Sequence, residues 1–129
     1  MMSAVNPLRR SSGSERVRDI AQLKERYLQN PFEKQIGNLA SDFSRLEEAC
    51  GSQKTPANCN DLLQEIEYCI GWSMGAEGSI KTKEILADLQ MRVATWRLVW
   101  PRLGKQPEFR NAVAREAHAW AQKLLKLAK

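Results

Sequence analysis

Residues 31–50 read PFEKQIGNLASDFSRLEEAC. Apolar side chains recur along this stretch at alternating steps of four and three residues, and we call them the apolar seam: Phe32, Ile36, Leu39, Phe43, Leu46 and Cys50. At about 100° per residue, these side chains stay within an arc of about 80° on a helix. A helix with one narrow apolar face needs a second surface to pack on, so the stretch indicates an all-α fold.

Capping and helix-breaking residues divide the rest of the chain into further helices. Asn30 and Pro31 are suited to begin the seam helix, and Gly51 is suited to end it. The predicted helices run from about residue 12 to 28, from 31 to 50, from 56 to 70, from 79 to 100, and from 107 almost to the C-terminus. Short loops join most of them, which predicts a small bundle of about five helices.

The fourth predicted helix is apolar on two sides. One side carries Ile85, Leu89, Val93, Trp96 and Trp100. The nearly opposite side carries what we call the second stripe: Ala87, Met91, Ala94 and Leu98. A helix that is apolar on two sides is normally packed by neighbours on both, so we expect helix 4 to be central in the bundle.

The length and composition fit one globular domain. The chain has 129 residues, of which 43% are hydrophobic and 27% are charged, and these values argue against disorder of the whole chain. We assign residues 13–129 to a single helical bundle and residues 1–12 to a flexible basic arm. Neither a signal-peptide core nor a membrane-length apolar run stands out, so we expect a cytoplasmic protein that does not enter a membrane.

Cysteine and histidine usage gives no sign of a metal, a cofactor or a catalytic centre. The three cysteines are Cys50, Cys59 and Cys69, and they lack the Cys-x-x-Cys spacing of zinc sites. We expect Cys59 to be the accessible one, and a pairing of Cys50 with Cys59 remains an alternative. The single histidine, His118, has no partner pattern for metal binding or nucleophilic catalysis, so we expect a protein that is not an enzyme.

Charge is distributed unevenly along the chain, whose formal net charge is +5. Residues 33–72 are mainly acidic and residues 101–129 mainly basic. One function that this allows is nucleic-acid binding, in which basic side chains contact phosphates. The residues that would do so are Arg9, Arg10, Arg115, His118, Lys126 and Lys129. A solvated helix face explains the same charges, and no nucleic-acid-binding motif accompanies them.

The function that the sequence favours is binding to a larger protein partner, as an adaptor or regulatory module. Trp72 and Met74 lie in a glycine-rich stretch, Gly71 to Gly78, that we expect to be a long adaptable loop. Arg102 follows the tryptophan-rich end of helix 4, where aromatic and arginine side chains favour an interface. A monomer and a homodimer through helix 2 or helix 4 are both compatible with these patterns.

Overall fold

The computed structural model describes residues 13–51, 56–75 and 79–128, with the side chains of 13–18 and 56–58 excepted. Its helices are α1 (Gly13–Leu28), α2 (Phe32–Gly51), α3 (Pro56–Met74), α4 (Ile80–Leu103) and α5 (Pro107–Leu127). No strand occurs within the described ranges, and the all-α bundle of five helices is confirmed. The predicted arm, residues 1–12, lies outside the described residues.

The apolar seam of α2 lies inside the bundle. Ile36, Leu39, Phe43 and Leu46 are fully buried, and Cys50 is nearly so. Phe32, at the first turn, is partly buried against the same core. The most extensive packing in the fold joins α2 to α5, and α2 also packs along α3. The apolar seam is therefore covered by other helices of the same chain.

Two helices extend further than their sequences predict. α3 continues through Gly71 to Met74, so this part of the expected loop is helical. Ser73 is fully buried there and shares a hydrogen bond with the Tyr27 hydroxyl, and such tertiary contacts outweigh the weak helix propensity of glycine. The rest of the predicted loop, residues 76–78, lies outside the described residues.

α4 passes its expected end at Pro101 and stops at Leu103. Proline removes one N–H from the helix, but the Trp100 carbonyl still accepts a bond from the Gly104 N–H at 2.8 Å, so the last turn closes after the proline.

One side of α4 is buried in the bundle, and the opposite side is exposed. Leu86, Leu89, Val93, Trp96 and Trp100 are buried on the inner side. α4 packs extensively on α3 and more narrowly on α5.

The expectation that neighbours also cover the second stripe is wrong. Met91, Ala94 and Leu98 are exposed, and Ala87 is half-buried. The reason is that α5 lies along α2, where the apolar seam receives it, and its contact with α4 is narrow.

The narrow α4–α5 contact is built around Trp100. Its ring meets Phe109 edge to face, with the ring centroids 5.4 Å apart. Gly104 follows α4 at this point, and a Cβ atom there would stand 2.6 Å from the Trp100 Nε1 atom. The absence of a side chain at residue 104 therefore lets the indole lie against the end of its own helix.

All three cysteines are buried, and none of them forms a disulfide. The prediction that Cys59 is accessible is wrong, because its side chain belongs to the core of the bundle and is fully buried. The Cys50 and Cys59 thiols are hydrogen-bonded to each other, and this bond together with burial raises the pKa of Cys50. The two side chains of the alternative Cys50–Cys59 pairing are therefore in contact, but as thiols and not as a disulfide.

Candidate protein-interaction surface

The outer face of α4 exposes large apolar side chains in a line. The exposed fraction is 73% for Met91 and 80% for Leu98, and Ile80 at the start of the helix is 78% exposed. At about 100° per residue, these three side chains lie within about 20° of one another around the helix. Sequence reasoning missed Ile80, although its four-residue step to Glu84 and three-residue step to Ala87 continue the spacing of the second stripe.

This face is presented on a helix with a well-defined start and a long axis. The Ser79 hydroxyl accepts a hydrogen bond from the Thr82 N–H at 3.1 Å, which caps the N-terminus of α4. The helix then runs for 24 residues, or about 36 Å at 1.5 Å per residue. The second stripe therefore lies on one continuous element.

Ion pairs on the flanks of α4 fix which side faces outward. Arg92 donates two hydrogen bonds to the carboxylate of Glu116 on α5, at 2.6 and 2.8 Å. On the other flank, Arg97 pairs with Glu67 on α3. A two-point arginine–carboxylate bond restricts orientation as well as distance. Both pairs hold the inner side of α4 against the bundle, so the second stripe points away from it.

Charged residues of α4 also border the second stripe. Glu84 and Arg102 are exposed and lie at opposite ends of the helix, on the same edge of the stripe. None of the ion pairs between described residues involves either of them. This edge of the apolar line therefore carries an acidic group near one end and a basic group near the other.

Trp72 lies in a surface depression between α1 and α3. The depression has a volume of about 290 Å³ and is lined by Lys24, Leu28, Gly71, Trp72 and Gly75. The Trp72 ring stacks on Tyr68 with centroids 5.8 Å apart and meets Tyr27 at 5.7 Å. These contacts leave the indole half-buried as part of the core edge. Its exposed part contributes to the wall of the depression.

The three residues predicted to bind a partner do not form one site. Met74 is half-buried against the core, two residues after Trp72 on the same helix. Arg102 lies near the far end of α4, about 33 Å along the axis from Ile80 at 1.5 Å per residue. The structure thus keeps Trp72 and Met74 at the end of α3 and brings Arg102 to the second stripe instead.

The basic face of α5 includes an acidic neighbour. Arg115, His118 and Lys126 are exposed, as the nucleic-acid alternative requires. The His118 Nδ1 atom, however, lies 3.1 Å from a carboxylate oxygen of Glu47 on α2. A carboxylate at this position repels phosphate. Arg9, Arg10 and Lys129 lie outside the described residues.

A partly buried group of polar side chains lies on α1, α2 and α3. Asp42 pairs with Arg45, and the Arg45 guanidinium also lies 3.6 Å from Glu65. The Tyr27 hydroxyl donates to the Gln35 carbonyl at 3.1 Å and shares a hydrogen bond with Ser73. These bonds satisfy polar groups inside the bundle, which is a structural task. Sequence reasoning missed these bonds, because polar side chains follow no apolar periodicity.

This group of side chains predicts an unusual pH dependence. Burial raises the pKa of Asp42, and burial and the Asp42 charge raise the pKa of Glu65. The folded state then binds more protons than the unfolded state as pH rises from about 4, the ordinary range of these carboxyls. Their contribution to the free energy of unfolding therefore decreases with rising pH until both are ionised in the folded state.

Asp42→Asn is expected to reduce this decrease, because it removes the titration of Asp42 and the Asp42 charge near Glu65. In urea unfolding between about pH 4 and 7, the free energy of unfolding of the variant relative to the wild type should increase with pH. Ser41→Ala, an exposed neighbour on α2, serves as the control. Parallel pH profiles for Asp42→Asn and the wild type would refute the assignment.

Two further kinds of feature are absent from the described residues. No group of three or more His, Cys, Asp or Glu side chains that could hold a metal ion occurs among the described residues. None of the described helices is long and apolar enough to cross a membrane. Comparison of the chain with protein-family models, curated proteins and solved structures found no match.

Proposed function

We propose that the chain is a non-catalytic protein-interaction module, an adaptor or regulator, whose binding surface is the second stripe of α4. The observation that carries this proposal is the line of exposed side chains formed by Met91 and Leu98, one heptad apart on a fixed helix. Single exposed apolar residues are common on protein surfaces, whereas a line of them marks a surface that another protein covers.

The shape of the second stripe supports a helical partner. Its alternating steps of four and three residues are those by which one helix packs along another. Ala87 and Ala94 are small, so a partner helix can approach the axis of α4 closely on both sides of Met91. Burial of each large side chain stabilises a complex by about 1.5–3 kcal/mol. A few such contacts are enough for a reversible interaction.

The state of the cysteines supports an intracellular partner. Cys50 and Cys59 are in contact as thiols, and none of the three cysteines forms a disulfide. Neighbouring thiols of this kind are typical of proteins in a reducing compartment such as the cytosol. A cytoplasmic interaction is therefore the one that we propose.

Affinity capture from a native lysate, with and without nuclease, tests the proposal. We expect Leu98→Glu to reduce recovery of the partner protein by about 30-fold, the effect of losing one central interface residue worth about 2 kcal/mol. Ser44→Glu on the exposed side of α2 is the control and should retain the partner. Both variants should unfold at the wild-type temperature, since both sites are exposed. Recovery of the same proteins by Leu98→Glu and the wild type would contradict the proposal.

The nuclease arm of the same experiment tests nucleic-acid binding as the alternative function. The acidic Glu47 beside His118 disfavours it. We expect at most weak binding of a labelled oligonucleotide near physiological salt. Micromolar binding that falls steeply with added salt, and that Arg115→Glu and Lys126→Glu weaken, would favour the alternative.

A further inference from the structure

The second stripe is complementary to itself, and we propose that its partner is a second copy of this chain, with the two α4 helices packed antiparallel. The inference rests on the proposed function, because it names the occupant of the same surface. Two chains related by a two-fold axis present the same patch to each other, so a self-complementary patch is what such a pair requires. Both the sizes and the charges of the α4 side chains meet this requirement.

The size complementarity fixes the register. In an antiparallel pair centred between residues 92 and 93, residues whose numbers sum to 185 lie at the same height. Met91 then lies opposite Ala94 of the second chain, and Leu98 lies opposite Ala87 of the second chain. Each large exposed side chain meets a small one, and two-fold symmetry repeats both contacts.

The charges select the same arrangement. In this register Glu84 of one chain and Arg102 of the second lie within about one residue of the same height, or about 1.5 Å. Both residues lie on the same edge of the second stripe. In an antiparallel pair, the two-fold axis places this edge of one chain against the same edge of the other. Two-fold symmetry forms this Glu84–Arg102 contact twice, once at each end of the interface.

A parallel pair lacks these advantages. In a parallel pair the two copies of this edge lie on opposite sides of the interface, so Glu84 and Arg102 make no contact across it, and each large side chain meets its own copy. The opposite-charge contacts are therefore lost. The antiparallel arrangement is therefore the one that the side chains of α4 specify.

The expected association is reversible, because one helix pair makes a small interface. Interfaces below about 1,200 Å² belong to weak complexes. Sedimentation velocity of the full chain from about 5 to 500 μM, a range suited to such affinities, should show a monomer that converts to a dimer. Leu98→Glu should weaken dimerisation at least about 10-fold, because it puts two charges into an apolar contact. Ser44→Glu is the control and should dimerise as the wild type does.

A charge swap tests the register and the direction. Glu84→Arg and Arg102→Glu should each weaken dimerisation about 3- to 10-fold, since each creates two like-charge contacts. The double variant should recover most of the wild-type affinity. Within one chain, residues 84 and 102 are separated by about 27 Å of helix, so recovery has to come from contact between chains. A double variant weaker than either single one would overturn the antiparallel register.

The outcomes separate this inference from the proposed function. A wild-type chain that remains monomeric over the whole range overturns self-association. If Leu98→Glu still loses a captured protein in that case, the stripe binds a different partner and the proposed function stands. If a wild-type monomer and Leu98→Glu capture the same proteins, both are overturned.

Discussion

Phe43→Ala is expected to lower the free energy of unfolding by about 3–5 kcal/mol. Phe43 is the largest fully buried side chain among the described residues and lies at the middle of the apolar seam, on the helix that packs on both α3 and α5. Truncation to alanine loses the free energy that is gained by transferring the ring from water into the core. It also leaves a cavity, which the surrounding helices are too rigid to fill well. The midpoint of thermal unfolding should fall by roughly 10–20 °C for a domain of this size.

Phe32→Ala is the matched comparison for this prediction. It removes the same side chain from the same seam, but at a partly buried position in the first turn of α2. Its effect, measured in the same denaturant series, should be smaller. Wild-type stability of Phe43→Ala would mean that the seam does not face the core.

Trp100→Ala is expected to have an effect of similar size, about 3–5 kcal/mol. Trp100 is 3% exposed, and its edge-to-face contact with Phe109 lies where α4 and α5 make their narrow contact. Few other residues span this junction, so its loss is poorly compensated. Urea unfolding followed by circular dichroism measures the change directly.

Trp120→Ala serves as the control for Trp100→Ala. Trp120 is half-buried, and its indole N–H donates to Glu116 at 3.3 Å on the outer part of α5. Its replacement should therefore destabilise the chain less. A larger loss for Trp120→Ala than for Trp100→Ala would show that the α4–α5 contact is not organised around Trp100.

The sequence was most informative where one local pattern decided the outcome. The spacing of Phe32 to Cys50 predicts α2 and its buried side, and Gly51 ends that helix in the structure as expected. This success has a physical cause. Exposing the six side chains of the apolar seam to water would cost so much free energy that any stable fold of the chain has to bury them.

The sequence was less informative about which helices pack against each other. Two apolar sides predict neighbours on both sides of α4, but α5 packs along α2, so the second stripe is exposed. The pattern alone does not separate a core face from an interface, because both require apolar residues at helical spacing.

The candidate site shows the same limit at the level of single residues. The glycine neighbours of Trp72 predict an exposed contact, yet its stacking on Tyr68 and contact with Tyr27 need α1 and α3 to be in place. Cys59, which the sequence predicts to be accessible, is fully buried. The sequence groups Arg102 with Trp72, whereas in the structure Arg102 lies at the edge of the second stripe.

The central claim is that the second stripe is a surface another chain covers, and oxidation of Met91 by peroxide tests it most directly. Methionine oxidation depends on access to the sulfur, and Met74, half-buried at the end of α3, is the internal reference. In dilute solution Met91 should oxidise faster than Met74, as peptide mass spectrometry would show. As the chain is concentrated and dimerises, the Met91 rate should fall while the Met74 rate stays constant. A Met91 rate that does not change with concentration, in a sample that sedimentation shows to be dimeric, would contradict the account.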